Sequence, residues 1–351
     1  MDNFDSKPVT IDPIKITDGY LDKADWRVNE NSNSGFSNGG LILHQAGATA
    51  SHYWLYKIFD EEVRNAHINC DIHLHDLSLV QPYCAGWNLG TLIKEGFGGV
   101  RNKIDCGPAK HLNTISQQLV NFLGCMQLEW NGAQAVNSFD TFLAPFLRIE
   151  RDAYIKEVKD LTGQKELNQS QLDKIEKKLE KYAQQCMQNF LYGINVPSRW
   201  GSQAPFSNVT LDLECPPDLK NKKVEMAGKT FEFTYGDCQK EMDMINKAFL
   251  RTYELGDYSE NGFQYPIITV NVDEEFDYDN EVSELLFKIT AKYGTPYFSN
   301  FVNTGMSKSD LRSMCCVTPD TLIDVELEED VVEDEFGNFY TLDEAKEKQL
   351  I

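Results

Sequence analysis

Four short stretches of this sequence combine residue types that can do chemistry. In "RSMCCVTPD", Cys315 and Cys316 are adjacent. Vicinal cysteines seldom bond to each other, because the ring they close is strained. A thiol at a loop tip is instead a candidate reaction centre. In "NCDIHLHDL", Cys70, His73, His75 and Asp76 fall together. The alternation predicts a strand, on which His73 and His75 share a face. Two histidines and a carboxylate suit zinc or iron, but Asp76 would point the other way and no second cluster lies nearby. Hydrogen-bonding or pocket-lining histidines are expected there, and no metal. "PYCAGWNLG" sets Cys84 between Pro and Gly, where glycine lets a ligand approach the backbone. "NVPSRWGSQAPFSNVTLD" is dense in Ser, Asn, Gln and Arg. Such a segment can hold phosphate or ribose, or be a plain polar turn.

The elements that must position these residues follow from periodicity. Residues 1–40 are polar and rich in Asn, Ser and Gly, which reads as a loop, with Gly39-Gly40 opening a helix over 41–68. Leu112, Ile115, Leu119, Phe122 and Met126 predict one long helix. Leu172, Ile175, Leu179, Tyr182, Cys186 and Phe190 predict a second, with Ser170 and Asp173 as its capping box. Both carry one apolar stripe and one charged face, suited to packing on a larger body or in a dimer interface. Short β-like runs, "VTLDLE", "KTFEFTYG", "YPIITVNV" and "TPYFSNFV", then alternate with helical segments over 238–255 and 280–294. Alternation of this kind predicts an α/β fold with a partly parallel sheet or barrel.

Composition narrows the class. The 351 residues carry a formal net charge of −22, which argues against sequence-independent binding of duplex nucleic acid. The acid is concentrated at the end: residues 316–351 hold twelve Asp and Glu against two Lys. No run is long and apolar enough to span a membrane. The N-terminus lacks the apolar stretch of a signal peptide, so a cytoplasmic protein is expected. The nine cysteines include no CxxC, and most are expected to be buried thiols.

Taken in order, "YLDKADWRVNENSN", "DIHLHDLSLVQPYCAGWNL", "GFGGV", "PAKHLNTISQQLVNFLGCMQLEWNGAQAVNSFDTFLAPFLR", "NVPSRWGSQAPFSNVTLDL", "YGDCQKEMDMINKAFL" and "AKYGTPYFSNFVNTGMSKSDLRSMCC" resemble class III, anaerobic ribonucleoside-triphosphate reductase. The resemblance runs from about Gly19 to Cys315. It implies part of a ten-stranded α/β barrel of the glycyl-radical type. It also implies reduction of ribonucleoside triphosphates to deoxyribonucleotides for DNA synthesis. In that family a glycyl radical near the C-terminus makes a cysteine on the barrel's central loop into a thiyl radical. The thiyl takes the ribose 3′ hydrogen, and formate or a thiol protein supplies electrons. Carried over residue by residue, Cys84 matches the cysteine that faces the radical cysteine across the substrate. His73 and His75 lie in a motif near the pocket, and Asn31, Ser32, Gln203 and Asn208 are candidates for holding the nucleotide. The long helices would form a homodimer face where relatives bind an effector dNTP. A radical-SAM iron–sulfur activating enzyme is the implied partner.

One departure matters. The family continues Cys-Cys-Arg-Leu, whereas Cys316 here is followed by "VTPDTLIDVELEED". That segment looks like the start of an intein of β character. Cys316 would then attack the carbonyl carbon of Cys315 and form a thioester. The alternative is that Cys316 is the family's own radical cysteine. On the intein reading, residues 1–315 are the N-terminal part of the reductase barrel, without the ATP cone, and 316–351 begin a split or truncated intein. The downstream strands, the glycyl-radical loop, the zinc site and the intein's His-bearing blocks are expected outside this chain, which alone is expected to be inactive. Rival readings are a formate-lyase-like glycyl-radical enzyme and a non-catalytic fragment with an acidic interaction tail.

Overall fold

The computed structural model describes residues 11–23, 36–97, 106–130, 132–196 and 204–305, and the backbone of 331–333 and 339–341. Helices α1 (Pro13–Leu21), α2 (Asn38–Tyr53) and α3 (Glu61–Ile68) form an N-terminal layer. Helix α1 corrects the expected loop over 1–40. Asp12 caps it by accepting from the N–H groups of Ile14 and Lys15, and Pro13 supplies a preset first turn. The helix expected over 41–68 is broken. A π-helical turn at Trp54–Ile58 ends in extended Phe59, and Asp60 caps α3 anew.

The body is built on one sheet. Its strands are β1 (Ala85–Trp87), β2 (Gln134–Val136), β3 (Ser207–Leu211), β6 (Ile267–Val272) and β7 (Tyr297–Asn300). They pair in the order β1-β2-β3-β6-β7, every pair parallel. Between them lie α4 (Leu89–Glu95), α5 (Leu112–Met126), α6 (Phe139–Thr162), α7 (Gln169–Ile194), α8 (Pro217–Lys220), α9 (Gln239–Leu255) and α10 (Glu281–Tyr293). A separate antiparallel hairpin, β4 (Lys223–Met226) with β5 (Lys229–Thr234), takes the "KTFEFTYG" run out of the main sheet. A second antiparallel pair joins β8 (Val331–Glu333) to β9 (Phe339–Thr341). The α/β class with a parallel sheet is therefore as expected.

Side chains alternate across a strand, and here the two faces differ in chemistry. Val136, Val209, Leu211, Ile268 and Val270 are fully buried in one apolar cluster with Phe139, Phe190 and Phe249 of α6, α7 and α9. The Phe139 ring centroid lies 5.1 Å from Phe190 and 5.6 Å from Phe249. The opposite face carries Asn208, Thr210, Thr269 and Asn271, all buried and all polar. The polar face therefore carries the amide and hydroxyl groups that can hydrogen-bond a ligand.

Details of the helices depart from the sequence reading. The capping box of α7 is Asn168 with Gln171, two residues ahead of the expected Ser170 and Asp173. Asn168 donates its N–H to Gln171 Oε1 and accepts from Gln171 N–H, each at 2.9 Å. The 24-residue α6 lies outside the two long helices expected from apolar spacing, and it runs through Pro145. Of the "GFGGV" segment only Gly96 and Phe97 lie among the described residues; Gly96 has φ +85° and a Cβ there would meet Cys106 O at 2.3 Å. That close approach lets Phe97 and Cys106 exchange backbone hydrogen bonds of 2.7 and 3.0 Å.

Candidate active site

Cys84 sits one residue ahead of β1, half-buried. Just ahead of β1 the sulfur turns toward the backbone of Gly132 and Ala133. Gly86 aligns with Ala135, and Ala135 with Asn208, so Asn208 lies on the face of Gly86, two residues on from Cys84. Asn208 donates from Nδ2 to Thr269 Oγ1 at 3.0 Å. Its buried Oδ1 has no partner among the described residues, and neither has Oδ1 of Asn271, two positions beyond Thr269 on the same face. Buried amide oxygens of this kind carry a desolvation cost that a hydrogen-bond donor relieves. The face can therefore receive a hydroxyl-bearing ligand beside a thiol.

The Cys84 sulfur has close backbone neighbours. Ala133 N–H donates to Sγ at 3.2 Å. Gly132 lies so close that a Cβ would fall 2.5 Å from Sγ. Trp87 stacks edge-on against Phe122 and Trp130, each at 5.0 Å, and donates from Nε1 to Gln134 Oε1 at 2.7 Å. None of Trp87, Gly132, Ala133 or Gln134 stood out by residue type. The Asn-Gly pair before Ala133 is the only sequence signal, and it reads as a turn.

The histidines are placed differently from the expectation. Residues 70–80 form no strand; Cys70 and Asp76 take left-handed φ values of 65° and 57°, which break the alternation. His73 and His75 therefore share no strand face. His73 packs against His67 at 5.8 Å between ring centroids. His75 is largely exposed, pairs through Nδ1 with Asp76 Oδ2 at 2.7 Å, and meets Tyr83 edge-on at 5.5 Å. It thus borders the residue before Cys84 without reaching the sheet. Among the described residues no three His, Cys, Asp or Glu side chains are grouped to hold a metal ion. Asn31, Ser32, Gln203, Cys315 and Cys316 lie outside the described residues.

The other thiols divide by environment. Burial pushes Cys186 up to about 12 and Cys238 up to about 11, against weaker opposing hydrogen bonds from Tyr182 and Arg148 respectively. Such thiols stay protonated and inert. Clefts among the described residues include one of about 210 Å³ where Leu213 faces Asp243 and Asn280, and one of about 320 Å³ where Tyr253 faces Tyr293 and Tyr297. Neither is lined by Cys84 or Asn208.

A saturated carboxylate fixes the carboxyl ends of β3 and β6. Asp140 Oδ1 accepts from Thr141 N–H and Asp212 N–H, each at 3.0 Å. Its Oδ2 accepts from Leu213 N–H and Asn246 Nδ2, each at 2.9 Å. Asp212 in turn accepts from Thr141 Oγ1 at 2.8 Å and Asn271 Nδ2 at 3.0 Å. The network joins α6, α9, β3 and β6 and reaches the polar face through Asn271.

Residues 30–338 match the family of anaerobic ribonucleoside-triphosphate reductases. The chain belongs to that family. The match runs past Cys316, so it marks no boundary there. An anaerobic ribonucleoside-triphosphate reductase of Haemophilus influenzae is 25% identical over 202 residues, covering 55% of this chain and 27% of the relative. The anaerobic ribonucleotide reductase of Thermotoga maritima, solved with citrate in its active site, covers 83% of this chain and 49% of its own, at 18% identity and a TM-score of 0.59. The same protein solved with dATP and CTP gives 18% identity, a TM-score of 0.56 and coverage of 83% and 47%. At these identities the solved structures speak for the fold. The chain spans about a quarter of the curated relative's length and about half that of the solved reductases. Among the described residues no helix is long and apolar enough to cross a membrane.

Proposed function

We propose that this chain supplies half of the catalytic barrel of an anaerobic ribonucleotide reductase, with Cys84 facing a ribonucleoside triphosphate. The single observation that carries the reading is the Asn208 carbonyl oxygen, buried and unpartnered among the described residues, on the face of Gly86 just past Cys84. A ribose hydroxyl is the donor that oxygen lacks. Cys84 would hold a proton at Sγ and present it to the 2′ hydroxyl, while Asn208 and Asn271 orient the sugar. The five parallel strands would be one half of the ten-stranded barrel, and the remaining strands would close the site against water. His73 and His75 would border the nucleotide, and Asn31, Ser32 and Gln203 would help to hold it.

The glycyl radical belongs to the remainder of the fold and, when loaded, supplies the one-electron chemistry. The described residues offer no metal-holding cluster, so no step is drawn through zinc in this chain. The long helices α5, α6 and α7 would form the dimer face and take an effector dNTP. The remaining partners are a radical-SAM activating enzyme and formate or a thiol protein as reductant. Residues 316–351 would begin an intein, with Cys316 as the splicing nucleophile and Cys315 the last residue of the enzyme half.

The test is co-expression of the chain with a candidate C-terminal part, followed by intact mass and anaerobic assay of deoxyribonucleotide formation. Wild type should ligate and, once activated, reduce a ribonucleoside triphosphate; Cys84→Ser should ligate and not reduce. A ligated, activated product that forms no deoxyribonucleotide sinks the reductase reading. Ligation by Cys316→Ala sinks the splicing reading alone.

A further inference from the structure

The hydrogen bonds around Cys84 form a line that ends on its sulfur. Trp87 Nε1–H donates to Gln134 Oε1 at 2.7 Å, and Gln134 Nε2–H donates to Gly132 O at 3.3 Å. The Gly132 carbonyl and the Ala133 N–H are two ends of one peptide unit. That N–H donates to Cys84 Sγ at 3.2 Å. The parallel ladder is offset here to allow it. Ala85 N–H donates to Ala133 O at 3.1 Å, and a regular continuation would give the Tyr83 carbonyl to Ala133 N–H. Gly132 N–H takes that carbonyl instead, which releases Ala133 N–H to the thiol. The offset also brings Gly132 so close that a Cβ would sit 2.5 Å from Sγ. Gln134 is fully buried, so its amide is fixed by these two bonds and not by water.

We propose that Gln134, held by Trp87, is a positioning residue that aims the Gly132–Ala133 peptide at Cys84 and sets the orientation and acidity of its thiol. The inference deepens the reading of Cys84 as the substrate-side thiol and rests on it. A carbonyl that accepts a hydrogen bond polarises its peptide and strengthens the N–H at the other end. An N–H donated to sulfur favours the thiolate over the thiol, which makes the group a better acid. A sulfur that accepts from the backbone also keeps its S–H for donation elsewhere, which is the geometry a proton donor to a departing hydroxyl needs. Gly132 has a specific part, since any side chain there pushes the sulfur off the N–H. A glutamine that served only to satisfy the Trp87 indole would affect stability and leave the thiol's titration untouched.

The test reads that titration directly on the full chain. Cys84 is alkylated with iodoacetamide from about pH 6 to 10 under anaerobic conditions, and its rate is followed by peptide mass spectrometry. The plateau rate reports access to the sulfur, and the midpoint reports its acidity. In Gln134→Leu and Gly132→Ala the midpoint should rise by roughly half to one pH unit, so the rate at pH 7 falls about three- to tenfold. The other cysteines should react as in wild type. Trp87→Phe removes only the indole N–H and should shift the midpoint the same way by less. It serves if the other two do not fold by circular dichroism. A wild-type midpoint in the folded variants overturns the proposal, even if their plateau rates change. Failure of the reductase reading is separate: no deoxyribonucleotide would form in the ligated enzyme while the midpoint shift persists.

Discussion

Replacing Asp140 by Asn tests how the polar face is held. Both carboxylate oxygens are saturated, with Thr141 and Asp212 N–H on one and Leu213 N–H and Asn246 Nδ2 on the other. An amide keeps one acceptor and turns the other into a donor. The kept oxygen can serve Thr141 and Asp212; the new NH₂ then confronts Leu213 N–H and Asn246 Nδ2. Asn246 can recover by flipping, because its own Oδ1 is buried without a partner among the described residues. Leu213 cannot, since its N–H belongs to a backbone already held at φ +62°. The loss is one charge-assisted hydrogen bond and one orphaned buried N–H, about 2–4 kcal/mol. Asp140→Ala strands all four donors and should cost more, about 4 kcal/mol or above. Those are large fractions of a stability of order 5–15 kcal/mol. Guanidinium unfolding followed by circular dichroism gives both values, and hydrogen exchange should place the earliest loss of protection at Asp212 and Leu213. The reasoning is refuted if Asp140→Asn stays within about 1 kcal/mol of wild type, or costs as much as Asp140→Ala.

Arg151 on α6 bonds Glu176 of α7 at 2.7 and 3.1 Å and pairs with the buried Glu241 of α9. Arg151→Met leaves that carboxylate without its cation and should cost about 3–5 kcal/mol, with Arg151→Met/Glu241→Leu costing less; equal costs for the two would refute a buried-pair origin. Burial alone would raise the Glu176 carboxyl, but hydrogen bonds and charge from Arg151 and Lys240 outweigh it and hold the group below its ordinary value. A depressed carboxylate gives stability that is present above its unfolded value and lost as pH falls through its folded one. The acid limb of a stability–pH curve should therefore flatten in Arg151→Met, and an unchanged limb would remove the Arg151 contribution. In the ligated enzyme Asn208→Ala should raise KM for the ribonucleotide about tenfold or more, and Asn208→Ala with wild-type kinetics would take that residue out of the site.

The long periodic elements were legible because their apolar spacing is dictated locally. The helices through Leu112–Met126, Leu172–Phe190, 238–255 and 280–294 and the runs at β3, β6 and β7 all appear where spacing predicts them. Strands β1 and β2 have three residues each, too few for alternation to register, and become strands only through parallel neighbours 49 positions apart, as in Ala85 with Gln134. The His73/His75 stretch shows the reverse. Its alternation was real in sequence, but two left-handed residues and no strand partner leave it as loop.

The Pro and Gly neighbours gave Cys84 a weak signal of its own, and the run of family-like segments pointed to the reductases and, through that resemblance, to Asn208. Those are properties of composition and order, which a chain carries before it folds. That Asn208 lies on the face of Gly86, just past Cys84, that this face is polar while its reverse is packed on Phe139, Phe190 and Phe249, and that Gln134 reaches the thiol through a peptide all required tertiary structure. The physical reason is that hydrogen-bond partners and strand registers are set by distances between segments far apart in sequence, and no local pattern encodes a distance across a sheet.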